Sequence, residues 1–210
     1  MLTLYDHKGA PSPRRAKMFL AEKGLEFDVV EIDLAEGEQF SEAYLQINPN
    51  ATVPALKFDN GQILTDNAEI TAFIEATHPN PPLLGRTPME KARIAKANWL
   101  TEFNGLLPLA NTLRNSSPDM KDRGIPGPRK VVQLPELAKR GRLRAGWFFE
   151  DLNAQLAKQD YVAGDAYSVA DITATIVVDF GRWVKLYPQE SHAHLLAWHK
   201  RMKARPSYHL

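Results

Sequence analysis

Two stretches decide how this chain reads: Asn50-Ala51-Thr52-Val53-Pro54-Ala55-Leu56 and, shortly after it, Leu64-Thr65-Asp66-Asn67. X-Pro bonds lose most of the trans preference of other peptides, so Val53-Pro54, ahead of an apolar run, is a candidate cis bond. That arrangement leaves the Val53 N–H and C=O free to pair, antiparallel, with the backbone of an extended peptide-like ligand. Asp66 then opens a helix, and with Glu69 in its first turn it reads as a capping box. Each half alone is a tight turn or an N-cap. Together they describe a backbone clamp beside a helix start that meets a charged group.

Working outward, residues 2–5, 13–23 and 27–32 read as strand, helix and strand. Ser12 is expected as the N-cap with Pro13 in the first turn, Ala16, Phe19 and Leu20 on one face, and Gly24 as the stop. A short amphipathic piece carrying Phe40, Tyr44 and Leu45 ends at Asn48-Pro49-Asn50. Strands near 55–58 and 62–64 flank Asp59-Asn60-Gly61, a hairpin signal. A helix over residues 66–77 turns Ile70, Phe73 and Ile74 toward a sheet. The order is βαβαββα, an α/β unit over residues 1–80.

Residues 81–88 continue a proline-rich stretch that neither helix nor central strand accepts, and read as a linker. Residues 89–210 then read as an all-α domain with helices over 89–113, 134–156, 168–186 and 192–204. Residues 116–130 form a lid or a loop. Ser168 and Asp171 make a second capping box, with Tyr167 and Ile172 as its hydrophobic staple, so Asp171 is structural rather than catalytic. The basic cluster Lys139, Arg140, Arg142 and Arg144 reads as one solvated helix face.

Composition narrows the function. Hydrophobic residues at 44% and charged residues at 24% are near globular averages. With 26 basic and 25 acidic side chains, the net charge of +1 offers no field to hold nucleic acid or an anionic membrane. No apolar run approaches the ~20 residues that span a bilayer. The first residues show no signal peptide, so the expected compartment is the cytoplasm. The chain has no cysteine, so it forms no disulfide and holds no thiol nucleophile. Any thiol chemistry must use a ligand's sulfur.

These pieces together resemble the cytosolic glutathione transferase family over essentially the whole chain. The residues that carry the resemblance are Leu4-Tyr5, residues 14–24 from Arg14-Arg15 to Gly24, Val53-Pro54-Ala55-Leu56, Leu64-Thr65-Asp66-Asn67-Ala68-Glu69-Ile70, and Tyr161-Val162-Ala163-Gly164-Asp165 with residues 168–172. The resemblance implies a thioredoxin-like N-terminal domain that binds glutathione as co-substrate and a helical C-terminal domain that helps bind a hydrophobic electrophile. It also implies a homodimer and no metal. Residue by residue, it implies Asp66 for the γ-glutamyl ammonium, and the helix start behind it for the carboxylate. Asn67 stands where the family usually has serine and is expected to supply a donor. Thr52, Val53 and Pro54 would hold the cysteinyl backbone, and Gln39 the glycine carboxylate. Phe103, Asn111 and Asn115 are expected on the electrophile side.

Counting back from Arg14-Arg15, the family's usual serine or cysteine position falls on Ala10, which donates nothing. Three substitutes stay open: the Ser12 hydroxyl, the N–H groups of the first helical turn, whose dipole favours a thiolate, and Asn111, Arg114, Asn115 and Ser116 in the second domain. Residues 85–91 and 198–202 resemble an atypical fungal and bacterial type that relies on the helix start and water. The expected activity is conjugation of glutathione to electrophiles or peroxide reduction. The alternative is a fold of this type used as a non-catalytic interaction module.

Overall fold

Strand β1 (Leu2–Asp6) pairs parallel with β2 (Phe27–Glu31) on one side and antiparallel with β3 (Ala55–Lys57) on the other. β4 (Ile63–Leu64) closes the sheet, whose order is β2-β1-β3-β4. This is a thioredoxin-like arrangement, and the hairpin between β3 and β4 turns at Gly61 with φ 85°, as the Asn-Gly signal requires. The computed structural model describes residues 1–210. They divide into one unit of residues 1–81 with 126–129 and 210, and a second of 82–125 with 130–209.

Helix α1 (Pro11–Glu22) buries Ala16, Met18, Phe19 and Leu20 and ends as expected at Gly24, with φ 67°. Gly24 donates to the Ala21 carbonyl and Leu25 to that of Leu20, the paired bonds of a Schellman stop. The buried Lys23 ammonium meets Glu75 at 2.5 Å and the carbonyls of His78 and Pro81 at 2.8 and 2.5 Å. It thereby fastens α1 to the end of α3 (Asn67–Thr77). Leu4, Ala55, Leu56, Ile70 and Ile74 are fully buried. Phe73 departs from expectation: it stays at the rim, 37% exposed, edge-on to Phe58. The short α2 (Glu42–Leu45) buries Tyr44.

The second unit consists of α4 (Pro88–Thr101), α5 (Leu107–Ser116), α6 (Pro135–Leu156), α7 (Val169–Phe180) and α8 (Ala193–Lys203). Every residue of α7 is buried, and its core includes Phe149, Leu152, Val177, Leu195 and Trp198. Asp171 accepts from the N–H groups of Val162 and Ser168 at 2.9 and 3.0 Å, from the Ser168 hydroxyl at 3.2 Å, and from Trp198 Nε1 at 3.1 Å. The single helix expected over 89–113 is interrupted: residues 102–106 form a π turn in which Leu107 N–H donates to Glu102. The next donor would be Pro108, which has no N–H, so the Phe103 carbonyl loses its partner. Arg144 Nη2 replaces it, bonding Phe103 O at 2.9 Å and Asn104 Oδ1 at 3.0 Å, with its guanidinium 4.6 Å from the Phe103 ring centroid.

The solvated basic face is therefore corrected in part. Arg142 likewise donates to the carbonyls of Val184 and Lys185, at the end of the 3-10 turn over Gly181–Val184 that follows α7. Arg144→Ala should lower stability by about 1 kcal/mol, the net worth of hydrogen bonds to an exposed carbonyl and a half-buried amide. Urea unfolding measures this, and a change within ~0.3 kcal/mol would contradict the role given to Arg144.

Candidate active site

The start of α1 differs from the sequence expectation in a way that bears on chemistry. The N-cap is Ala10, with no side-chain cap, and the helix begins at Pro11. Ser12 is thus the second helical residue and not the N-cap, because Pro11 takes the first helical position that proline favours. Ala10 N–H donates to His7 O at 2.9 Å and Arg14 N–H to Ala10 O at 3.3 Å. Pro11 and Pro13 have no N–H. The open donors of this helix start therefore reduce to one residue: the Ser12 N–H and the Ser12 hydroxyl, which caps nothing. Several backbone donors were expected from the first turn, and the two prolines remove all but this one.

Val53–Pro54 is cis. Val53 is half-buried, and its N–H and C=O enter none of the backbone hydrogen bonds of the turn or the sheet. The residue before it is braced. The Thr52 carbonyl accepts from the Tyr44 hydroxyl and from Asn48 Nδ2, each at 2.7 Å, while Asn48 Nδ2 also reaches Thr52 Oγ1 at 3.1 Å. Burial pushes the Tyr44 phenol well above its ordinary pKa, so it stays a neutral donor. Neither brace was read from the sequence, where Tyr44 was an amphipathic-face residue and Asn48 a helix breaker. The available signal was Asn48-Pro49-Asn50 directly before the clamp.

Asp66 caps α3, its Oδ1 accepting from Ala68 N–H at 2.8 Å, and the side chain is exposed. Glu69 closes the reciprocal bond one residue early, on Thr65 N–H at 2.9 Å. Asn67 is 7% exposed; its Nδ2 donates to the Ser12 carbonyl at 3.1 Å, and its Oδ1 has no donor. Gln39, in a 3-10 turn over Glu38–Phe40, is also buried at 6%, again with an unpaired carbonyl oxygen, Oε1. Two buried amides with orphaned carbonyl oxygens in one unit are unusual, because such groups are ordinarily satisfied. One unit thus holds Ser12, Gln39, Thr52, Val53, Pro54, Asp66 and Asn67.

The helical unit treats its three candidates differently. Phe103 is 43% exposed and stacks on Trp99, ring centroids 5.0 Å apart. Asn111 is half-buried. Asn115 is fully committed to structure: Nδ2 donates to Asn111 O and Gly124 O, and Oδ1 accepts from Leu134 N–H. With 3% exposure, it braces the 116–130 segment and has no group left for a substrate. That segment is itself tied down, through Gln133 to Arg114 O and Ser117 O and through Arg114 to Arg123 O.

The geometry has counterparts. Residues 10–77 match the family model for the glutathione S-transferase N-terminal domain, and residues 136–206 that for the C-terminal domain. The chain is 34% identical to glutathione S-transferase 2 of Saccharomyces cerevisiae, covering 98% of this chain and 87% of that protein. The crystal structure of Gtt2 from Saccharomyces cerevisiae superposes with a TM-score of 0.90 at 33% identity, over 99% of this chain and 98% of its own. A glutathione S-transferase domain-containing protein of Marinobacter aquaeolei VT8 gives 0.90 at 31% identity, covering 98% and 99%. A probable maleylacetoacetate isomerase of Caenorhabditis elegans is 30% identical over 81% of this chain and 74% of its own. The clamp, the capped helix start and both domain matches agree: the chain belongs to the glutathione S-transferase family.

Proposed function

We propose that this protein binds glutathione on its N-terminal unit and conjugates its thiol to hydrophobic electrophiles, or uses it to reduce peroxides. The observation that carries this reading is the pairing of an unbonded Val53 peptide with a helix start whose only open donors belong to Ser12. Val53 would hold the cysteinyl backbone, with Thr52 and Pro54 fixing the turn. Asp66 keeps one oxygen free of its cap for the γ-glutamyl ammonium, and the α3 N-terminus faces the carboxylate. Gln39 would donate its amide N–H to the glycine carboxylate.

A free thiol with a pKa near ~8.5 is only a few per cent ionised at neutral pH. Ser12 would lower it chiefly by bonding the thiolate through its N–H at the positive end of α1, with its hydroxyl a minor contributor. The thiol proton leaves to water, and the sulfur lone pair forms the new bond to the electrophile's carbon as the leaving group departs. The exposed Phe103–Trp99 stack is the proposed contact for an apolar electrophile, and Asn111 of α5 is a further proposed contact. A cytoplasmic homodimer belongs to the same proposal.

Ala10 favours a second reading, an interaction module with a decayed site, because no side chain takes the usual catalytic position. Isothermal calorimetry with glutathione separates the two. Saturable binding and thiolate absorbance near neutral pH are expected; absence of heat at millimolar glutathione would leave only the module.

A further inference from the structure

The sequence places Asn67 where a donor to the ligand is expected, and the fold commits one N–H of that amide elsewhere. Asn67 Nδ2 lies 3.1 Å from the Ser12 carbonyl. A carbonyl oxygen only accepts, so the amide orientation follows from the chemistry of its partner. The bond joins the first helical residue of α3 to the first turn of α1, positions far apart in sequence. It leaves Oδ1 buried without a donor, a penalty that a serine in this place would not carry.

The Ser12 carbonyl sits in the helical ladder of α1, where the i, i+4 pattern already supplies it with a donor N–H. The fold therefore gains little from the extra bond. What the bond does fix is the orientation of one residue, Ser12, whose N–H and hydroxyl are the open donors of that helix start. Asn67 also directly follows Asp66, which caps α3.

We infer that Asn67 is a positioning residue: it clamps Ser12 to the start of α3, and so sets where the Ser12 donors lie relative to the head group held at Asp66. This inference rests on the glutathione reading above. Asn67 acts through Ser12 and not on the ligand's carboxylate. Its loss should therefore change the ionisation of the bound thiol more than the affinity for glutathione.

The test is a pH titration of the thiolate absorbance of bound glutathione, with calorimetric affinity and steady-state conjugation, in the parent, Asn67→Ala and Asn67→Asp proteins. Asn67→Asp keeps the shape and places an acid in the first turn of α3, which the helix dipole favours. It also replaces the donor with an oxygen that repels the Ser12 carbonyl. Both variants should raise the bound thiol's pKa by about one unit, a tenfold drop in thiolate on the acidic limb. kcat should fall about tenfold there, while the dissociation constant for glutathione changes less than about threefold, with a thermal melt of each variant as the folding control. An unchanged thiol pKa in Asn67→Asp, with glutathione still bound, overturns the positioning role alone. Failure of the parent protein to bind glutathione overturns the inference together with the reading beneath it.

Discussion

Ser12→Pro is expected to abolish most conjugation while Ser12→Ala leaves most of it. Alanine removes the hydroxyl but keeps the N–H; proline removes both and is tolerated in the first turn of a helix. Removing one preorganised donor from a developing or resting oxyanion costs about 100- to 1000-fold in turnover, and a thiolate at a helix start poses the same electrostatic problem. The expected series is a loss below about tenfold in kcat/KM for Ser12→Ala and at least about 100-fold for Ser12→Pro. Steady-state conjugation of a chromogenic electrophile, with a thermal melt as the folding control, decides it. If Ser12→Ala alone lost about 1000-fold, the hydroxyl and not the peptide would activate the thiol.

Asp171→Ala should destabilise the protein more than any substitution near the site. The carboxylate gathers four donors inside the core, including the indole of the fully buried Trp198. Each donor stripped of its partner costs about 1–3 kcal/mol. Burial is the largest influence on the group and, against those donors, pushes its pKa up to about 6. The folded state thus holds the proton more tightly than the unfolded chain. This group's contribution to stability is complete below about pH 4 and is lost as pH rises through 6, about 3 kcal/mol in all.

Truncation removes that cost at neutral pH but orphans four donors, which at a central cost near ~2 kcal/mol each leaves a net loss of about 5 kcal/mol out of a typical 5–15. A melting temperature roughly 10 °C lower follows for a chain of this size. A melt within ~2 °C of the parent would show that the surrounding donors find other partners. Asp171→Asn should also flatten the pH dependence between 4 and 6, measured by urea unfolding across that range.

The sequence carried the fold through local signals that agree with one another. The Gly24 stop, the Asn60-Gly61 turn and the Ser168–Asp171 box each appear where residue chemistry demands them. The π turn was legible only in hindsight: Pro108 announced a missing donor, but nothing along the chain showed that Arg144 would supply it. The candidate site divides the same way. Asp66 as a cap follows from its own neighbourhood, whereas Asn67 gripping Ser12, and Tyr44 with Asn48 gripping Thr52, depend on contacts between separate elements. Asn115 misled for the opposite reason: an amide near a helix end looks available until the loop that consumes it is in place.

The helix start at Pro11-Ser12-Pro13 also bears on how such a site is inherited. A donor that belongs to the peptide passes unchanged to nearly any residue that comes to occupy position 12, so selection has little hold on that side chain. Under the proposed mechanism the requirement would fall instead on the flanking prolines, which keep neighbouring peptides silent, and on the amide that grips from the other helix. Lineages could therefore exchange serine here without exchanging chemistry, and their common trait would be a pattern of withheld donors.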